Sequence, residues 1–170
     1  MSFGSRLFYW QMKNESDLVG PRCVRRAGKK LRVCRDRKRQ GELAELAFLY
    51  KASAMGFGVA KPYGDSRRYD FILDSGDRLW RVQVKSRNNP RGHAYSFGGN
   101  SATKKSAPYT VDEIDVLVAY VVPENAWYVI PVEVLVRGRT LILYPGGKCR
   151  KGGGFYEKYR EEWDFMKAAE

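Results

Sequence analysis

The sequence predicts an α/β fold in which helices flank a mixed central β-sheet. Two patterns carry this prediction. Apolar residues between positions 42 and 55 recur at intervals of three and four, as on one face of a helix, whereas several later segments alternate or stay apolar over strand-like lengths. The chain has 170 residues, of which 44% are apolar, and this is enough for one domain with a core of its own.

The first predicted element is a helix over residues 42–55. One side of it carries the apolar residues Leu43, Leu46, Ala47 and Tyr50. Gly56 follows as a natural left-handed cap, because a residue without a Cβ adopts a positive φ at little cost. The helix is therefore expected to end there.

Three strands are predicted after the helix. The first is short and covers residues 57–61, and the other two cover residues 69–73 and 78–86. The last two are separated by Asp-Ser-Gly-Asp, which is typical of a tight turn. We therefore expect these two strands to form an antiparallel hairpin.

A long polar stretch separates this first half from the second. Residues 87–109 are rich in Gly, Ser, Asn, Lys and Arg, and this composition predicts a loop. Tyr109 and Asp115 are expected to fix the geometry of that loop.

The second half is predicted to return to the sheet. Strands are expected over residues 115–122 and 127–131, with a weaker candidate over residues 140–144. A closing amphipathic helix, whose apolar side serves packing, is predicted from the spacing of Phe155, Tyr159, Trp163 and Met166.

The positive charge of the chain is concentrated near its N-terminus. The formal net charge is +12, and residues 22–39 contain ten Lys or Arg residues and one acid, Asp36. Such a run releases counterions when it binds nucleic acid, although it is also compatible with a solvated tail. We expect residues 1–38 to be a flexible basic arm and residues 39–170 to be the folded domain.

Cysteine and hydropathy patterns exclude other classes of protein. The three cysteines, Cys23, Cys34 and Cys149, lie far apart, which argues against a disulfide framework or a zinc site and favours a reducing compartment. The longest apolar run, residues 116–122, is too short to cross a membrane. The first residues lack the apolar core of a signal peptide, so a soluble, cytoplasmic or nucleoid-associated protein is expected.

The third predicted strand has polar residues where a central strand is normally apolar. Alternation places Leu79, Arg81, Gln83 and Lys85 on one face, and Trp80, Val82, Val84 and Ser86 on the other. A lysine in such a position needs carboxylate or phosphate partners. Carboxylates could come from Asp70, Glu42 and Glu45. Taken singly, each of these residues is better explained by a solvated surface, but together they indicate a site.

Three segments place these residues in a characteristic order: RQGELAEL, then GDSRRYDFIL, then LWRVQVKSR. Together they span residues 39–87, and they resemble the PD-(D/E)XK nuclease superfamily, more narrowly its branch of group I intron-associated homing endonucleases. The later segments YTVDEIDVLVAYV, WYVIPVEVL and FYEKYREEW are similar to that branch as well. The resemblance implies a restriction-endonuclease-like core and a metal-dependent DNA endonuclease.

The resemblance also assigns roles to individual residues. The implied cofactor is Mg²⁺, with Mn²⁺ as a substitute, and its implied ligands are Asp70, Gln83, the backbone carbonyl of Val84, and Glu45. The implied catalytic residues are Glu45, Asp70, Gln83 and Lys85. Lys85 would orient the attacking water and stabilise the charge that develops on the phosphate.

Gln83 is the main departure from the family pattern. The family has an acid at this position, and a neutral amide oxygen is a weaker metal ligand. The resemblance to the intron-endonuclease branch implies that Gln is also accepted there. Glu42 is a second candidate for the helix carboxylate, but the interval from Glu45 to Asp70 fits the family better. Further candidates for contacts to DNA phosphates are Ser66, Arg67, Arg68, Ser86, Arg87, Lys104 and Lys105.

Three functions remain open on the sequence. The first is a metal-dependent DNA endonuclease of the homing or Holliday-junction-resolving kind, which would act as a homo-oligomer, dimer or higher, because one cluster serves one phosphodiester. The second is a nuclease-fold DNA-binding protein whose catalysis is weakened or lost, as Gln83 could indicate. The third, a basic RNA- or ribosome-associated protein, would not need a polar strand face beside Asp70. None of them involves a membrane.

Overall fold

The computed structural model of the chain describes five stretches: residues 36–64, 66–98, 108–135, 140–147 and 154–167. They belong to a compact unit that spans residues 34–170. The basic arm predicted for residues 1–38 lies almost entirely outside the described residues, so its role stays a prediction. In the described part, no helix is long and apolar enough to cross a membrane.

Helix α1 spans Arg37–Ala54 and has defined ends. Asp36 caps its start, because the carboxylate accepts hydrogen bonds from the N–H of Lys38 at 2.9 Å and of Arg39 at 3.4 Å. The helix therefore begins five residues before the predicted start and includes the last two residues assigned to the arm. It stops where the sequence predicts, since Gly56 follows it with a φ of +92°.

Five strands form the main sheet, in the order β1-β2-β3-β5-β6. Their bounds are Gly58–Ala60 (β1), Phe71–Asp74 (β2), Leu79–Arg87 (β3), Val116–Val121 (β5) and Ala126–Pro131 (β6). All neighbours are antiparallel except β3 and β5, which run parallel over six residue pairs. The predicted strands and the hairpin of β2 and β3 are thus confirmed, with ends that differ by one or two residues.

The sheet has a core on each face. α1 covers one face, where the ring of Phe48 lies 5.0 Å from that of Phe71 and 6.3 Å from that of Trp127, measured between centroids. On the other face, Phe97 and Leu141 belong to a second core. Because β5 and β6 lie between the two cores, nearly all of their residues are buried, which explains why β5 is an unbroken apolar run.

The polar stretch predicted as a loop contains a short strand. β4 (Tyr95–Phe97) pairs antiparallel with β7 (Leu141–Leu143) in a separate two-stranded sheet. Tyr95 and Phe97 are buried in the second core. A strand of three residues between Gly and Asn residues carries too weak a local pattern to be recognised, and its partner lies more than forty residues away in sequence.

The face of α1 that the sequence singles out is not the buried one. The buried residues are Ala44, Phe48 and Ala52. By contrast, Leu43, Leu46 and Tyr50 are 50%, 61% and 64% exposed, and of the four residues on the predicted side Ala47 alone packs against the core. Two alanines beside one phenylalanine let the helix approach the sheet closely, so the larger aliphatic residues, which dominate the hydropathy pattern, remain outside.

The predicted closing helix is wrong. The tail instead forms two short 3₁₀ segments, Glu157–Tyr159 and Asp164–Met166. The carboxylate of Glu157 accepts a hydrogen bond from the N–H of Tyr144 at 2.6 Å, and that of Glu161 accepts one from the N–H of Trp127 at 3.0 Å. These bonds hold the tail against the sheet in a course that a continuous helix could not follow. The predicted packing stripe is split, with Trp163 and Met166 buried and Phe155 exposed.

Arg81 and Asp115 fix the point at which β3 and β5 begin to pair. Asp115 accepts hydrogen bonds from the backbone N–H of Arg81 at 2.7 Å and from its guanidinium at 3.0 Å. The guanidinium also donates to the carbonyls of Val111, at 2.8 Å, and Asp112. Burial on its own would raise the pKa of Asp115, but the hydrogen bonds and charge of Arg81 outweigh it and hold that pKa below its ordinary value.

We expect Asp115→Asn to destabilise the fold by about 2 kcal/mol at pH 7, because it removes a half-buried charge that several hydrogen bonds depend on. The pKa of Asp115 is lower in the folded chain than in the unfolded chain. Its contribution is therefore present above about pH 4 and is lost as the pH falls through the folded pKa. Urea unfolding of both proteins at pH 7 and pH 3 should show the gap between them narrowing at the lower pH.

The control is Asp164→Asn, because Asp164 pairs with Lys167 at an exposed position, where an ion pair contributes little. An equal loss of stability in the two variants would contradict the role of Asp115.

Candidate active site

Asp70 ties the hairpin of β2 and β3 together just before β2 begins. Its N–H donates to the carbonyl of Val82 at 2.8 Å. Its Oδ2 accepts hydrogen bonds from the N–H of Val84 at 2.8 Å and from Nε2 of Gln83 at 2.5 Å. The predicted alternation of β3 is present, since Val82 and Val84 enter the core under α1 while Gln83 and Lys85 belong to the opposite face. The strand pattern thus brings Asp70 and Gln83 into direct contact.

Oxygen-bearing groups converge on the amide of Gln83. Its nitrogen lies 2.5 Å from the carboxylate of Asp70 and 3.2 Å from the carbonyl oxygen of Val84. A donor group between two oxygens takes the place that a cation would take, and a half-turn of the terminal amide would bring the Gln83 oxygen toward the same point. Carboxylate, amide and backbone oxygens are the hard ligands that Mg²⁺ accepts. The residues present therefore fit a divalent cation.

The donor set is not a cluster of classical metal-binding side chains. Within the described ranges, no three Asp, Glu, His or Cys side chains come together in a group that could hold a metal. A site here would depend on one carboxylate supported by neutral oxygens. Mg²⁺ commonly keeps several waters and needs only one or two carboxylates from the protein, together with substrate phosphate.

The carboxyl group of Asp70 is costly to ionise in this environment. Burial raises the pKa of Asp70 to about 6, and the negative charge of Glu45 adds to the rise. The N–H of Val84, the charge of Lys61 and the amide of Gln83 act in the opposite direction. A partly buried carboxylate whose neighbours do not fully stabilise its charge gains much from a bound cation.

Glu45 reaches the same region from α1. Its Oε2 lies 2.7 Å from Nζ of Lys61, and its charge acts on Asp70. Glu42, the other helix carboxylate, is exposed, and its charge acts on Lys61. The hydrogen bond that Lys61 donates to Glu45 is the largest cause of the raised pKa of Lys61. The charge of Glu45 thus acts on both Asp70 and Lys61. Lys61 belongs to the cluster as well, although the sequence did not single it out.

Lys85 lies on the Gln83 face of β3, and its contacts include a backbone carbonyl and an aromatic ring. Its Nζ donates to the carbonyl of Gly98 at 2.6 Å and lies 4.9 Å from the ring centroid of Tyr109. The guanidinium of Arg68 lies at the same distance from that ring and pairs with Glu113 at 2.7 Å. Tyr109 therefore contacts both cations. From the sequence, Tyr109 was expected only to fix the geometry of the loop. Its contacts with Arg68 and Lys85 join segments far apart in the chain, so the sequence did not indicate them.

The ammonium group of Lys85 is affected by burial and by neighbouring positive charges. Burial lowers the pKa of Lys85 to about 8, the charges of Arg87 and Arg68 lower it too, and the charge of Asp70 opposes them. At pH 7 the amine is still largely protonated, because the pH lies below this pKa. A phosphate that entered the site would stabilise the ammonium group strongly.

The candidate DNA-contacting residues do not form one group. Ser66 and Arg67 are exposed in the connection that leads to Asp70. Arg87 is exposed, but its Nε donates to the carbonyl of Ser96 at 2.9 Å. Ser86 lies on the opposite face of β3 from Lys85. Lys104 and Lys105 lie outside the described residues.

Comparison with known proteins agrees with this geometry. The model of a PD-(D/E)XK endonuclease family matches residues 35–148. The solved structure of a bacterial homing endonuclease, I-Ssp6803I, is 30% identical in sequence, covers 77% of this chain and 93% of its own, and has a TM-score of 0.67. Hjc, a Holliday junction resolvase from Archaeoglobus fulgidus, is 18% identical over 62% of this chain and 88% of its own, with a TM-score of 0.42. No curated protein matches the sequence.

The family match extends beyond residues 39–87, where the resemblance is clearest, but it ends before the segment FYEKYREEW at residues 155–163. It includes α1, the hairpin of β2 and β3 and the parallel partner β5, and every residue of the cluster lies within the matched range. The mixed sheet predicted from the sequence is the fold that the homing endonuclease shares at 30% identity. The chain therefore belongs to the PD-(D/E)XK endonuclease family and is a nuclease.

Proposed function

We propose that this nuclease hydrolyses phosphodiester bonds in DNA with a divalent cation, Mg²⁺ or in its place Mn²⁺, and that it acts as a homing endonuclease. The observation that carries the proposal is the convergence of the Asp70 carboxylate, the Gln83 amide and the Val84 carbonyl. The likeness to a bacterial homing endonuclease over most of both chains supports the type of activity.

The residues that would bind the cation lie at one end of the hairpin of β2 and β3. Asp70, Gln83 and the carbonyl of Val84 would hold the cation, with Glu45 beside them. The bound cation would supply positive charge that activates water and offsets the charge on the phosphate. Because Gln83 is neutral, the protein contributes less negative charge than it would with an acid there, so we infer that the cation is held comparatively weakly.

Lys85 would act on the phosphate and the water. Its ammonium group lies on the same strand face as Gln83, and its contacts with Gly98 and Tyr109 direct it. From there it would orient the attacking water and stabilise the negative charge that develops on the phosphate. These contacts limit the rotamers of a long side chain, so less conformational entropy is lost when substrate binds.

Cleavage of both DNA strands would require more than one copy of the chain. The cluster described above is suited to one phosphodiester bond at a time. We propose that two copies, related by a two-fold axis, each cut one strand. The exposed Ser66 and Arg67, together with Arg68 and Arg87, would contact phosphates near the scissile bond.

We expect Lys85→Ala to lower the rate of plasmid nicking by at least about 100-fold, since it removes the charge that stabilises the transition state. DNA affinity should change much less. The measurement is nicking of supercoiled DNA with Mg²⁺, alongside a gel-shift titration without metal. Lys158→Ala is the control, because Lys158 is an exposed lysine of the tail that stacks on Phe155 and Tyr159. If both variants nick at the wild-type rate, Lys85 has no catalytic role.

A second prediction concerns Gln83. We expect Gln83→Glu to lower the Mg²⁺ concentration needed for half-maximal nicking, because it adds a negative charge next to Asp70. At about 4 Å and an effective dielectric near 20, unit charges interact by roughly 4 kcal/mol before desolvation, and repulsion from Asp70 in the metal-free protein offsets part of this. Gln83→Leu should raise that concentration, because the ligand oxygen is lost while the strand is kept.

Metal titrations of nicking by the wild type and both variants test this. Three coincident curves would show that Gln83 is not a ligand. If DNA binding is intact but no protein nicks DNA at any Mg²⁺ or Mn²⁺ concentration, this chain is a nuclease-fold DNA-binding protein without catalysis.

A third prediction concerns the basic arm. Deleting residues 1–34 keeps Asp36, which caps α1, and should therefore preserve the fold. It should weaken DNA binding and flatten its salt dependence, because each lost phosphate contact removes about 0.9 from the log–log slope. The measurement is DNA affinity of both proteins between 50 and 300 mM salt. An unchanged slope would show that the arm does not touch DNA.

A further inference from the structure

Lys61 places a positive charge beside the residues that would bind the cation. Its Nζ lies 2.7 Å from Oε2 of Glu45 and 5.7 Å from the ring centroid of Phe71, the residue that follows Asp70. We propose that Lys61 is a positioning residue for Glu45. In the DNA-free protein it occupies the Glu45 carboxylate, and when DNA binds it exchanges this carboxylate for a DNA phosphate, so that Glu45 becomes available to the cation.

The pairing of β1 with β2 fixes the place of Lys61. Ala60, the last residue of β1, pairs with Ile72 of β2. In an antiparallel pair the next residue of one strand comes opposite the preceding residue of the other, so Lys61 comes opposite Phe71. The contact between the Lys61 ammonium group and the Phe71 ring agrees with this register. The backbone therefore brings Lys61 next to the position of Asp70, while Glu45 reaches it from α1.

The charge of Lys61 compensates negative charge near Asp70. The hydrogen bond to Glu45 raises the pKa of Lys61 most, and although burial opposes this rise, the charges of the surrounding carboxylates add to it. These carboxylates belong to Glu45, Asp70 and Glu42. Burial is the largest cause of the raised pKa of Asp70, which the charge of Glu45 raises further and that of Lys61 lowers. With Glu45 paired, the site thus offers a cation mainly the charge of Asp70.

The ion pair is accessible enough to exchange its partners. The side chain of Lys61 is 61% exposed and that of Glu45 is 27% exposed. An ion pair with an exposed partner contributes little to stability, because water screens it, so its exchange is not costly. A DNA phosphate is an alternative acceptor for an ammonium group, and the connection that follows Lys61 carries the exposed Ser66 and Arg67.

The exchange would link the binding of the cation to the binding of DNA. Once Lys61 contacts a phosphate, Asp70 and Glu45 together supply two carboxylates, which is the number that Mg²⁺ commonly takes from a protein beside substrate phosphate. The site would then bind a cation weakly in the free protein and more tightly on DNA. The inference rests on the proposed function, because it concerns the same cation site, but neither of its tests requires cleavage.

The first experiment measures Mn²⁺ binding to the full chain without DNA, from the electron paramagnetic resonance signal of free Mn²⁺. Lys61→Met keeps the aliphatic stem over Phe71 but removes the charge, and we expect it to tighten Mn²⁺ binding about fivefold, because Glu45 is released. In a Glu45→Gln background the same substitution should change the affinity by less than about twofold, since no carboxylate is left to release. Lys61→Gln should behave as Lys61→Met does.

Lys51→Met is the matched control. Lys51 lies 2.7 Å from a carboxylate oxygen of Glu161 and 5.7 Å from the ring centroid of Trp163, so it makes the same two kinds of contact at the tail instead of the hairpin. This variant should bind Mn²⁺ as the wild type does. A second experiment measures DNA affinity without metal between 50 and 300 mM salt. Lys61→Met should flatten the log–log slope by about 0.9, the value for one phosphate contact, and Lys51→Met should not.

Several results would overturn the exchange. One is a Lys61→Met variant that binds Mn²⁺ as the wild type does, and another is an equal gain in both backgrounds, which would show only the long-range effect of the lost charge. A wild-type salt slope in Lys61→Met would show that Lys61 takes no phosphate. If no protein in the set binds Mn²⁺, the cation site of the proposed function is itself wrong. Variants that behave as expected in a chain that never cleaves DNA would contradict only the proposed activity.

Discussion

The parallel pairing of β3 with β5 is the constraint on which the site depends. It joins the hairpin of β2 and β3 to the buried strands of the sheet, and Arg81 and Asp115 set its starting point through several hydrogen bonds. A parallel neighbour cannot be reached by a tight turn, so the chain between the two strands must cross one face of the sheet. That crossing carries Gly98 and Tyr109 to Lys85, and the contacts of the lysine follow from it.

Asp70 owes its properties to the hairpin rather than to its own neighbours in sequence. It precedes β2, yet its carboxylate accepts the N–H of Val84, a backbone group of the adjacent strand. The same carboxylate is buried, and burial raises its pKa to about 6. The chain thus keeps a carboxyl group at some electrostatic cost, and its charge acts on Lys85, whose pKa burial lowers to about 8. Paired shifts of this kind are common where a substrate or cofactor supplies the missing charge.

The contrast between the two faces of α1 shows where hydropathy misleads. Leu43, Leu46 and Tyr50 form one apolar face, but the helix buries the other, which carries Ala44, Phe48 and Ala52. Periodicity reports that a helix has apolar positions and does not report which of two apolar faces meets the sheet. The closing helix failed for a related reason, because the carboxylates of Glu157 and Glu161 bind backbone groups of distant strands, and helical spacing carries no information about such partners.

The sequence by itself determined the order of α1 and the main strands, the hairpin, the alternation that places Gln83 and Lys85 together, and the family. These depend on local turn residues and on periods of two and of three to four, which can be read along the chain. Only the tertiary structure decided that the Gln83 amide lies between Asp70 and Val84, that Lys61 pairs with Glu45, and that Tyr109 contacts both Lys85 and Arg68. Each of these contacts joins different elements of the fold or depends on a side-chain rotamer, and neither sequence separation nor residue type fixes the distance between two atoms.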